Sequence, residues 1–115
     1  MSEMKKSIFP DIINCHPQAE IPVEGLQSRL IQAGDQQIIF MEFDEDFEIP
    51  DHTHEAQWGV VLEGEMEITI DGDVKQLKKG DSYFIPKDVV HSARIKKGYK
   101  DMTLFNQKDR YQPKK

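Results

Sequence analysis

Hydrophobic and polar residues alternate along most of this chain, and they do so in short runs. Met66, Ile68 and Ile70 alternate with Glu65, Glu67 and Thr69, which predicts a strand with one buried face and one wet face. Asp71-Gly72 follows at once, a pair that favours a type I′ hairpin turn, and residues 74–77 form the returning strand. Residues 36–43 are rich in branched and aromatic side chains and end at the acidic cluster Asp44-Glu45-Asp46, so they too read as a strand. Gly80-Asp81 marks another turn before Tyr83-Phe84-Ile85 runs to Pro86. His91, Ala93 and Ile95 then alternate with Ser92, Arg94 and Lys96, and residues 100–106 read as a last long strand. No window sustains a helical period beyond two turns. Residues 23–31 come nearest, but Pro22 and Gly25 interrupt them, and they read as a turn followed by a strand. Six prolines and seven glycines among short strands predict an all-β sandwich or barrel with almost no α-helix.

Trp58-Gly59-Val60-Val61-Leu62 breaks the alternation. A continuous apolar strand buries both faces, so one face can look into the barrel while the other needs a second cover. A neighbouring subunit or the N-terminal segment could supply it, and a homodimer is expected on this ground. The expected organisation is a single domain: residues 1–35 as a strand-and-turn segment packed on the barrel, 36–106 as the barrel core, and 107–115 as a polar, loosely held tail.

With 115 residues, the chain is large enough for one core and not for two. A formal net charge of −6 argues against a nucleic-acid surface, which needs a basic stripe. No run approaches the length of a membrane span, and the first ten residues lack the apolar stretch of a secretory signal. The one cysteine, Cys15, has no internal disulfide partner, which fits a reducing compartment, and the cytoplasm is the expected location.

The chemistry gathers at Asp51-His52-Thr53-His54, Gln57 and His91. His-x-His puts two imidazoles on one face of an extended segment, and a third nitrogen from another strand would enclose a divalent transition metal. Gln57 has the opposite parity to His52 and His54. Glu55-Ala56 must therefore turn or bulge the chain before Gln57 can face the same cavity. The alternative, three surface or merely hydrogen-bonded histidines, suits His16 beside Cys15 better than it suits these three. Gln57 reads either as a ligand through its amide oxygen or as a group orienting a water or an imidazole. Glu55, in the turn, is expected to face solvent. Trp58, opposite in parity to Gln57, is expected in packing or an interface. Met41, Phe43, Phe84, Met102, Leu104 and Phe105 are candidates for cavity or core, and Tyr83 and Arg94 for polar groups near the site or on the surface.

These residues resemble the cupin superfamily, whose first motif reads G-x5-H-x-H-x3,4-E-x6-G and whose second reads G-x5-P-x-G-x2-H-x3-N. The first appears as His52, His54, Gln57 and, after six intervening residues, Gly64; the second as Gly80, Pro86, Asp88 and His91. The fifteen residues 65–79 separate them, and the resemblance covers roughly residues 36–106. Asp46 stands at the leading glycine, the spacer after His54 is short, Gln57 fills the glutamate position, Asp88 replaces a turn glycine and Ile95 the terminal asparagine. The resemblance implies an antiparallel jelly-roll β-barrel. It also implies one divalent transition metal at His52, His54, Gln57 and His91. Zinc or nickel is favoured, and iron, manganese, copper and cobalt are compatible. Dioxygenase, isomerase, decarboxylase and lyase chemistry on a small oxygen-bearing metabolite are all implied without a choice among them. A non-catalytic module that holds a metabolite or metal is the alternative.

Overall fold

The computed structural model describes residues 7–114; residues 1–6 of the amino-terminal stretch discussed above, and Lys115 of the tail, lie outside the described residues. Among the described residues are one four-residue helix, α1 (Asp11–Asn14), and nine strands. In chain order these are β1 (Leu26–Ala33), β2 (Gln36–Phe43), β3 (Phe47–His52), β4 (Gln57–Glu63), β5 (Glu65–Ile70), β6 (Asp73–Lys78), β7 (Ser82–Ile85), β8 (His91–Ile95) and β9 (Lys100–Phe105). They form two sheets, β1-β2-β9-β4-β7 and β3-β8-β5-β6, with every pairing antiparallel. Their inner faces meet in one core that includes Ile39, Val61, Met66, Ile68, Ile85 and Ile95. The all-β jelly-roll expectation is met.

Local chemistry explains the turns. Asp71 and Gly72 have φ of 50° and 79°, the pair of left-handed residues that a type I′ turn requires. At Gly64, φ is +75° and an added Cβ would lie 2.8 Å from Tyr99 Cα, so backbone and space both demand glycine. Asp88 takes φ of 63° where the family motif has glycine, a conformation that aspartate tolerates.

Along β4, Gln57, Gly59 and Val61 are buried while Trp58 is exposed, so the apolar run has one core face and one outward face. The N-terminal segment covers part of the outer sheet surface, with Phe9 set edge-on to Phe40 at 5.1 Å. The tail is not loose: Glu20 N–H donates to the Gln112 carbonyl at 2.7 Å, and Tyr111 packs against Phe105 at 5.6 Å. Backbone hydrogen bonds, invisible in a polar composition, hold it down.

β9 corrects one expectation. Asp101, Thr103 and Phe105 face inward and are buried, whereas Met102 and Leu104, candidates for cavity or core, are only half-buried on the outer side. Phe84 is likewise exposed, while Met41 and Phe43 are buried. With apolar residues on both parities of β9, only pairing with the other strands decides which face is inside.

Candidate metal centre

β3 and β8 lie side by side with His52 directly opposite His91, after a register shift between Ile49 and His52. His91 also faces Ile70 of β5, at the middle of the four-stranded sheet. His54 lies beyond the end of β3, in the connection to β4, and not on the strand as the His-x-His spacing alone would place it. The second motif holds it there: Asp88 N–H donates to the His54 carbonyl at 3.0 Å. The three rings converge with centroids 4.1, 4.6 and 5.1 Å apart, and one nitrogen from each lies within 4.8 Å of the others.

Their orientation follows from backbone hydrogen bonds. His52 Nδ1 meets the Pro50 carbonyl at 2.9 Å, His54 Nδ1 the Glu55 carbonyl at 2.6 Å, and His91 Nδ1 the Val89 carbonyl at 2.9 Å. A carbonyl only accepts, so each Nδ1 carries the proton and each Nε2 keeps a lone pair. Two of those lone pairs, on His54 and His91, face each other at 3.0 Å. Burial pushes the His54 pKa down to about 4, and Arg110, His91 and His52 add to it against the hydrogen bond to Glu55. Burial also lowers His91, with His52 and Arg110 contributing. Neutral imidazoles with converging lone pairs fit a soft-to-borderline cation.

Gln57 opens β4, opposite Ile85 on β7 and Phe105 on β9, and lines the same cavity as the histidines. Its Nε2 donates to the Tyr83 hydroxyl at 3.2 Å. Its Oε1 takes no hydrogen bond among the described residues. Tyr83 is therefore a buried neighbour of the site, its pKa raised by burial and then by Asp101. Arg94 is not near it; it pairs with Glu48 on the surface at 3.4 Å. The Glu55 carboxylate pairs with Lys87 at 3.5 Å, and Cys15 is free and exposed.

Arg110 went unseen in the sequence. It lines the cavity, lies 4.6 Å from the Tyr111 ring centroid and 5.8 Å from that of Phe105, and lowers two of the histidines electrostatically. Its Nε is buried without a hydrogen-bond partner, and no carboxylate pairs with it among the described residues. Its only sequence signal is a lone arginine in a polar tail.

No curated protein matches the chain. Among solved structures, an RmlC-like cupin from Shewanella frigidimarina superposes with a TM-score of 0.72 at 27% identity, over 91% of this chain and 94% of that one. KdgF from a Halomonas species gives 0.68 at 24% identity, over 80% of this chain and 88% of that one. Oxalate decarboxylase from Bacillus subtilis, described with Mn(II) centres, gives 0.68 at 18% identity over 81% of this chain, which spans 28% of its length. The family model of the cupin domain matches residues 39–105, both histidine motifs included. More than half of the chain is covered, and the chain belongs to the cupin family.

Proposed function

We propose that this cupin is a metal-dependent enzyme acting on a small, anionic, oxygen-bearing metabolite, with Nε2 of His52, His54 and His91 and Oε1 of Gln57 as the ligands. One observation carries the reading: three backbone carbonyls take the Nδ1 protons of three histidines that each bring a nitrogen within 4.8 Å of the others, which leaves Nε2 as the ligating atom. Without a cation, the Nε2 pair at 3.0 Å would face lone pair to lone pair. A bound divalent cation would polarise a chelated substrate oxygen and lower the pKa of its proton. Three imidazoles and an amide are all neutral, so they would leave more of its charge for that task than a set with a carboxylate. The donor set favours zinc or nickel by affinity, while the Mn(II) centres of the oxalate decarboxylase relative keep manganese in view.

The surrounding side chains support an anionic substrate. Arg110, with no carboxylate paired to it among the described residues, suits a substrate anion in the cavity it lines. The apolar walls exclude water and strengthen that attraction. The test is elemental analysis of protein purified from its native host, alongside the His52→Ala/His54→Ala double variant. Near-stoichiometric metal in the wild type and a drop to background in the double variant are expected; undiminished metal in the variant ends the reading. Turnover of a panel of enolisable acids, hydroxyketones and catechols, with and without oxygen, then separates an enzyme from a binding module that is stabilised by ligand but consumes none.

A further inference from the structure

The cavity that opens at the histidines extends well beyond them. It encloses about 250 Å³ between the sheets, walled by Met41, Met66, Ile68 and Ile85, and its lining reaches Asp101. Phe105 packs against the His54 ring at 5.4 Å. Asp101 lies on the same inward face of β9 four residues earlier, which at strand spacing is roughly 13 Å away. The cavity thus has two polar poles and an apolar middle.

The two oxygens of Asp101 differ. Oδ2 accepts the Tyr99 hydroxyl at 2.8 Å, whereas Oδ1 is buried and has no hydrogen-bond partner. Asp101 is only 4% exposed, and leaving such an atom unpaired costs about 1–3 kcal/mol. Native structures seldom leave this cost unanswered. The adjacent cation, Lys100, is engaged elsewhere, 3.6 Å from Glu42. Burial raises the Asp101 pKa to about 7 against the opposing Tyr99 hydrogen bond, so the carboxyl is uncomfortable as an isolated charge.

We propose that Asp101 Oδ1 is the inner pole of a two-point ligand site, receiving a hydroxyl or ammonium at the far end of a small acid whose oxygen-rich head sits at the histidines. The outer half rests on the metal-site reading above; the Asp101 half rests on the cavity and its unpaired oxygen. Tyr99 fixes the carboxyl. Tyr83 lies near enough to raise the pKa of Tyr99, has its own raised by burial and then by Asp101, and also receives the Gln57 amide, so one wall joins the poles. Gly59 makes room for that wall, since a Cβ there would come 2.4 Å from the Tyr83 ring.

The test is calorimetric titration of zinc-loaded, full-length protein with straight-chain 2-oxo acids of roughly three to eight carbons, a range of small-metabolite size. Each acid is compared with a hydroxyl, an ammonium or a methyl at its far end. At one chain length, a hydroxyl or ammonium ending should bind at least ~10-fold tighter than methyl. Asp101→Ala should erase the difference while zinc stoichiometry stays unchanged. Asp101→Asn, which keeps an acceptor oxygen and guards against a folding defect, should retain the hydroxyl preference and lose that for ammonium. Equal affinity for all endings, a preference that survives Asp101→Ala, or binding of none of the acids overturns the proposal and leaves an ordered water as Oδ1's partner. Failure to take up zinc strikes the metal reading instead. The same endings compared on metal-free protein by ligand-observed NMR then decide the Asp101 half.

Discussion

Gln57 is the residue on which the charge of the proposed centre turns. Its amide is buried, donates to Tyr83, and leaves Oε1 toward a cavity that three imidazoles also line. Gln57→Glu keeps the size and adds a negative charge. If Oε1 is a ligand, metal affinity measured by chelator competition should rise at least ~10-fold, about 1.4 kcal/mol. The metal-free variant should melt lower than the wild type, because a carboxylate would then be buried with no cation. An unchanged affinity would show that Gln57 serves Tyr83 and not the metal. That the three histidines and Gln57 share one cavity was legible because each sits at a position of a short local motif. Asp101 and Arg110 were not. Asp101 lies between Lys100 and Met102 in a strand with apolar residues on both parities, so its inward direction depends on β2 and β4. Arg110 reaches the cavity only because the tail folds back along residues 18–20, a long-range event with no local signature.

At the scale of elements, alternation located most strands, and the hairpin at Asp71-Gly72 followed from its two left-handed residues. What alternation could not supply was the cover of the outer sheet face, which depends on an anchor between distant segments. Glu42 on β2 is that anchor: its carboxylate accepts from the Ser7 hydroxyl and, at 3.1 Å, from Ile8 N–H. It stands opposite Lys100 of β9, whose ammonium is 3.6 Å away. Glu42 is 8% exposed, so these bonds count for more than a surface ion pair would. Glu42→Ala removes three partners at once and leaves Lys100 partly buried and unpaired. Urea denaturation should show a loss of about 2–4 kcal/mol. Amide exchange at Ile8 should rise far more than exchange in β5, because the released segment opens locally. Equal changes at both places would mean that Glu42 supports the whole barrel and not the N-terminal segment.

For the whole molecule, the open question is the outer face of the five-stranded sheet. Register places Ile38, Leu104, Trp58 and Phe84 side by side across β2, β9, β4 and β7, one apolar residue from each strand. Trp58 and Phe84 remain 38% and 57% exposed, because Phe9 covers the neighbouring row at Phe40 and goes no further. We propose that a second copy of the chain covers this row in a two-fold dimer. A two-fold contact uses the same patch on both partners, so each interface would contain Trp58 twice. Buried tryptophans at interface centres commonly contribute about 2 kcal/mol or more each. Trp58→Glu should therefore weaken association by about 4 kcal/mol, on the order of a thousandfold in Kd. The histidine centre lies inside the barrel, on the other side of the same sheet, so metal content should be unaffected by that change. Sedimentation equilibrium of wild type and variant reads the effect directly. A wild type that is monomeric at micromolar concentration, or a variant that associates as strongly as the wild type, would rule this face out as the dimer contact.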